Sequence, residues 1–116
     1  MIDRITMAIT NMEEMVQFYQ NVLPLKLYPE VRGDYTIYLG KVGDVEIIFC
    51  PKEIAGVNAA INTIQVRFVV PNVGKAFKNG LAGEGLEISN PQEIGGDIHA
   101  ALRDPDGNSL ELIERN

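Results

Sequence analysis

Cysteine is nearly absent from this sequence. Cys50 is the single one, so no internal disulfide is available and nothing calls for an oxidising compartment. No apolar run approaches the roughly 18 residues that a membrane-spanning helix needs. The start, Met1-Ile2-Asp3-Arg4, lacks a basic stretch followed by an apolar one, so no secretory signal is visible. A cytoplasmic location is the resulting expectation. Clustered positive charge is also missing. The ten Lys and Arg residues are scattered and the formal net charge is −6. That argues against nucleic acids and acidic membrane surfaces as partners, because both need a basic patch. What remains is ordinary globular material: 46% hydrophobic and 22% charged residues over 116 positions, enough for one domain with a real core.

Two segments follow one plan. In the first, Ile5, Met7 and Ile9 alternate with Arg4, Thr6 and Ala8, which is strand periodicity. Asn11 then stands at a capping position with Glu14 three residues on, a variant of the capping box. Met12, Met15, Val16, Tyr19, Val22 and Leu23 recur at helical spacing, and Pro24 ends the helix. Strands are predicted near 26–32, 35–40 and 45–49, separated by Gly-Asp turns. In the second segment, Ile64, Val66, Phe68 and Val70 alternate, Asn72 can cap, and Val73, Ala76, Phe77 and Leu81 form a helical stripe interrupted by Gly80. Strands near 84–89, 97–103 and 108–114 follow, with Gly95-Gly96 as a loop hinge. The last two strands flank Asp104-Pro105-Asp106-Gly107, where Pro105 presets φ and Gly107 tolerates a positive one, so a hairpin is expected. The predicted fold is α+β: two tandem β-α-β-β-β modules forming a curled eight-stranded arrangement around a trough. Module one covers 1–50, the linker 51–62 and module two 63–116. By parity Arg4, Glu46, Gln65, Arg67, His99 and Glu111 face the trough. Ile5, Met7, Ile47, Val66, Phe68, Leu102, Leu110 and Leu112 face the helices.

The run from Asn11 to Leu23, with Phe18-Tyr19 and Val22-Leu23, and the stretch Asp104 to Leu112 together resemble the vicinal oxygen chelate superfamily. That superfamily includes glyoxalase I, bleomycin-resistance proteins and extradiol dioxygenases. The resemblance implies that metal-dependent members hold one divalent ion with four inward residues, which correspond to Arg4, Glu46, Gln65 and Glu111. Arg4 breaks that set, because a guanidinium stays protonated and has no lone pair for a metal. A fixed cation there opposes metal entry and can pair with Glu46 or Glu111 instead.

Two functional classes follow. The favoured one is a module binding a small, partly apolar ligand without a metal, with Arg4, Gln65, Arg67 and His99 as polar anchors. The alternative is a lyase or isomerase of the glyoxalase I type, with Ni, Co, Zn, Mn or Mg held by Glu46, Gln65 and Glu111. A cofactor-free enzyme using Glu46 or Glu111 as base stays open beside these. Dioxygenase chemistry fits worst, because it wants two histidines and a carboxylate around iron, and His99 is the single histidine. Arg67 and Arg103 read equally as anchors for an anionic ligand or as solvated ion pairs, and Cys50 as a small apolar filler. A two-fold homodimer is expected, since open sheet edges are usually paired or blocked.

Overall fold

The computed structural model describes residues 1–57 and 64–116. Module one runs β1 (Arg4–Ile9), α1 (Met12–Val22), β2 (Tyr28–Arg32), β3 (Tyr35–Val42) and β4 (Val45–Pro51). A one-turn helix, α2 (Lys52–Ala55), follows. Module two runs β5 (Val66–Val69), α3 (Val73–Ala82), β6 (Leu86–Ile94), β7 (Asp97–Arg103) and β8 (Ser109–Glu114). Each module forms a four-stranded sheet, in the orders β1-β4-β3-β2 and β5-β8-β7-β6. The first and last strands of each module pair parallel, and the rest are antiparallel. This is the tandem β-α-β-β-β architecture that the alternation predicts. The predicted 51–62 linker contributes Pro51 to β4 and its next residues to α2; its positions 58–62 lie outside the described residues, as does position 63.

Alternation decides which face each side chain takes. Met7, Ile47, Phe68, Leu102, Leu110 and Leu112 are buried toward the helices, with Ile5 and Val66 packed at the margin. Met15, Phe18, Tyr19 and Val22 of α1 and Val73, Ala76 and Phe77 of α3 cover them in one cluster that draws on both modules. Tyr19 sits at its centre. Its ring meets Phe18, Phe49 and Phe68 edge-on, at centroid distances of 5.1, 5.5 and 6.0 Å, and so touches an aromatic residue from each sheet.

The helix stripe of α3 departs from expectation at one point. Leu81 is exposed, and Gly80 is buried in its place. A Cβ at Gly80 would stand 2.8 Å from Leu102 Cδ1 and 3.3 Å from Val22 Cγ2. The glycine that interrupts the apolar stripe is the point at which α3 comes close to both α1 and β7.

The expected cap of α1 is also different. The Asn11 side chain does not cap the helix. It donates instead to Asp106 Oδ1 at 2.8 Å, and the same carboxylate accepts from the amides of Thr10 and Asn11 at 2.8 and 2.9 Å. The hairpin of module two thus supplies the anion at the start of the helix of module one, where the helix dipole favours it. By contrast, Asn72 does cap α3, accepting from the Lys75 amide at 3.0 Å. Asp106→Ala is therefore expected to lower stability by about 1–2 kcal/mol, the range for a lost charged hydrogen-bond acceptor. Urea denaturation would measure this. A change within error would mean that water replaces the carboxylate at no cost.

Beside Asp106, Asp104 is buried and accepts from the Tyr19 hydroxyl at 2.8 Å, the Asn108 amide at 2.9 Å and the Asp106 amide at 3.0 Å. Gly107 takes the positive φ, 91°, that the turn requires. The Asp-Pro-Asp-Gly turn is thus both the expected hairpin and the main polar fastening between the modules, whose sheets share no strand pairing among the described residues.

Candidate functional site

On each sheet, the face opposite the helices carries the residues that the sequence assigns to the trough. On the sheet of module one, the parallel register sets Arg4 directly beside Glu46. Arg4 Nε lies 2.5 Å from Glu46 Oε1. The pair is partly solvated, with side-chain exposures of 59% and 32%. Lys41 stands opposite Glu46 on the other side. Deeper along this face, Ile37, Ile48 and Cys50 are buried in a second small cluster with Tyr35, Leu39 and Ala55 of α2. Cys50 is the apolar filler that its position implies, and burial pushes its thiol above the ordinary value, the opposite of nucleophile activation.

On the sheet of module two, the register sets Arg67 beside Glu111. Arg67 Nε is 3.6 Å from Glu111 Oε1, and His99 Nδ1 is 3.7 Å from Glu111 Oε2. Gln65 precedes the strand and donates from Nε2 to Ser109 Oγ at 2.5 Å. Counting back from the helix start makes Gln65 the counterpart of Arg4, whereas strand pairing gives that place to Arg67. Each module thus carries one Arg–Glu pair across its parallel strands. The six residues fall into three groups: Arg4 with Glu46; Arg67 and His99 around Glu111; and Gln65 with Ser109. No ion pair joins Arg4 to Glu111 among the described residues.

The donor set is a poor match for a divalent ion. Arg4 has no lone pair to offer. Among the described residues of one chain, no three His, Cys, Asp or Glu side chains lie close enough to share an ion. The exposure of the Arg4–Glu46 pair also changes its energetic weight. Half-solvated pairs contribute little, so Arg4→Ala is expected to cost less than about 1 kcal/mol of stability. Thermal unfolding would test this, and a larger loss would mean that the pair is more enclosed than its exposure indicates.

A family model, the Glyoxalase/Bleomycin resistance protein/Dioxygenase superfamily, matches residues 1–112. The chain belongs to that superfamily. Comparison with curated proteins gives no match. Among solved structures, the superfamily member is similar to a glyoxalase/bleomycin resistance protein from Albidiferax ferrireducens T118. That pair has 20% identity and a TM-score of 0.78, covering 99% of this chain and 98% of the other. It is similar to TnmS3, an antibiotic binding protein from Streptomyces sp. CB03234, at 13% identity and a TM-score of 0.71, covering 100% and 96%. It also resembles a glyoxalase I variant from Zea mays, at 22% identity and a TM-score of 0.71, covering 97% of this chain and 46% of the maize chain. At these identities the likeness is one of fold, and superfamily membership leaves the chemistry to the residues of the site. No helix among the described residues is long and apolar enough to cross a membrane.

Proposed function

We propose that this superfamily member binds a small, partly apolar molecule in its trough, with arginines neutralising the carboxylates that would otherwise hold a metal. One observation carries the reading: each trough carboxylate, Glu46 and Glu111, has an arginine as its neighbour on the parallel strand. A guanidinium beside each carboxylate supplies a permanent counter-charge, and its fork matches carboxylate oxygens. Arg4 and Glu46 present one polar station, and Arg67, His99 and Glu111 present the other. Exposed apolar residues beside the second station, Val69 among them, would meet the rest of the ligand. A protein described as antibiotic binding shares the fold. Elemental analysis of protein purified without a metal-affinity tag tests the reading. The expected result is well under one divalent ion per chain. One ion per chain would favour a lyase or isomerase instead.

The same reading includes a two-fold homodimer in the cytoplasm. The trough faces and outer edge strands carry exposed apolar side chains, including Val31, Val69, Leu86 and Ile94, which a second copy would cover. Sedimentation equilibrium at micromolar concentration is expected to give twice the chain mass of 12.8 kDa. The monomer mass alone would rule the dimer out.

A further inference from the structure

The two modules are not equivalent around their carboxylates. Opposite Glu46, strand β3 presents Lys41. Opposite Glu111, strand β7 presents Ala101, whose one-carbon side chain makes a gap in the row of longer side chains along this face. On either side of Ala101 along β7, and on the same face, stand His99 and Arg103. Arg67 flanks the carboxylate from β5. The gap over Ala101 is therefore bounded by Glu111, His99 and Arg103, with Arg67 beyond the carboxylate. Arg103 is exposed, and the Gly107 carbonyl holds one of its terminal nitrogens at 3.1 Å. That contact fixes the guanidinium at the hairpin end of the gap and leaves the rest of its fork for another acceptor. Arg67 meets Glu111 at 3.6 Å, beyond ordinary hydrogen-bond length, so its donors are not consumed by that pair.

The charge balance selects the ligand. Two guanidiniums face one carboxylate, leaving one positive charge in excess. The other acid on this face of β7, Asp97, is engaged by Arg115 at 3.8 Å and by the Asn116 amide at 3.0 Å. A local positive excess stands out in a chain of net charge −6. It matches a singly charged group better than a dianion, because Glu111 repels a second negative charge. Leu86, paired opposite Arg103, and Val69, next to Arg67 on the same face, are both exposed and apolar. They offer a surface for an apolar body attached to that anion.

We propose that the gap over Ala101 is the anion subsite of the trough and takes the carboxylate of a small apolar monocarboxylic acid, held by Arg67 and Arg103 with His99 at its side. This rests on the reading of the trough as a small-molecule site and names the class of molecule. The test is a titration of isotope-labelled wild-type protein, followed by amide NMR and by the ring proton of the single histidine. The probes are phenylacetate, its neutral isostere 2-phenylacetamide, and inorganic phosphate. Phenylacetate is expected to bind saturably, shifting Arg67, His99, Ala101, Arg103 and Glu111. The amide should bind about tenfold more weakly, the value of one charge-assisted hydrogen bond, and phosphate more weakly than phenylacetate. Arg103→Gln and Arg67→Gln should each weaken phenylacetate about tenfold on the same grounds. Ala101→Leu should abolish binding by filling the gap while leaving every charge in place, in a protein whose spectrum shows it folded. Equal binding of acid and amide at these residues, or unchanged binding in folded Ala101→Leu, would overturn the anion subsite and leave the trough reading intact. Tighter binding of phosphate would overturn the choice of a monocarboxylate. Shifts away from both trough faces, or none with any probe, would overturn the subsite and the trough reading together.

Discussion

Tyr19→Phe is expected to destabilise the protein by about 1.5–3 kcal/mol, the range for a lost hydrogen bond to a charged, buried group. The hydroxyl donates to Asp104 at 2.8 Å in the middle of the shared core. Removing it leaves no cavity of consequence, so the loss reports the hydrogen bond rather than packing. The pH dependence separates two opposing effects. Burial raises the Asp104 carboxyl above its ordinary value, and the donors Tyr19 and Asn108 pull it back down. Burial is the larger effect, so the folded state holds the Asp104 proton more tightly than the unfolded chain does. That contribution to stability is present at low pH and is lost as pH rises through the folded value. The Tyr19 donor acts the other way, because it favours the ionised form. Its removal should therefore cost most above the folded value of Asp104, and the cost should shrink as pH falls through it. Burial and the neighbouring Asp104 hold the Tyr19 hydroxyl well above its usual range, so it stays a donor at neutral pH. Urea denaturation of both proteins in a pH series running down from neutral would show this. A difference that grew on acidification would contradict the hydrogen-bond account.

Arg4→His should raise affinity for Ni²⁺ at least about thirtyfold. A guanidinium 4–5 Å from a divalent ion costs about 2 kcal/mol even at the dielectric of water, and more at a protein surface. Two kilocalories correspond to about thirtyfold in affinity. The substitution removes that repulsion and adds an imidazole nitrogen beside Glu46, the neighbour of Arg4 at 2.5 Å. The gain should appear in isothermal calorimetry and should require Glu46, so adding Glu46→Gln to Arg4→His should reverse it. Wild-type affinity equal to that of Arg4→His would mean that the guanidinium does not oppose the ion.

Several features of this fold are written locally in the chain. Ile5-Thr6-Met7 and Val66-Arg67-Phe68 sort their faces by alternation, and Asp104 to Gly107 specifies a turn by its own dihedral preferences. Other features depend on partners distant in sequence. Asn11 has the residue type of a helix cap, yet its side chain donates to Asp106, 95 positions away. Gly80 reads as a break in a stripe until Leu102 and Val22 are seen against it. At the site, parity puts Arg4, Glu46, Gln65, Arg67, His99 and Glu111 on the sheet faces opposite the helices. It could not show that Arg67 rather than Gln65 stands beside Glu111, because parallel register is decided between strands that are far apart in the chain. The one-turn helix α2 has too few residues for any period to register, and it forms against the trough-side cluster at Ala55.

The central claim is that arginines hold the places beside the trough carboxylates that an ion would otherwise command. The most direct measurement is NMR of the arginine side-chain Nε–Hε groups of wild-type protein during titration with Zn²⁺. Arg4 should give an Nε–Hε signal shifted by its contact with Glu46 and lost from the spectrum in Arg4→Ala. That signal should stay in place through several equivalents of Zn²⁺. Its displacement to a free-guanidinium position, complete at one equivalent of Zn²⁺ per chain, would show the ion taking the carboxylate from Arg4 and would contradict the account.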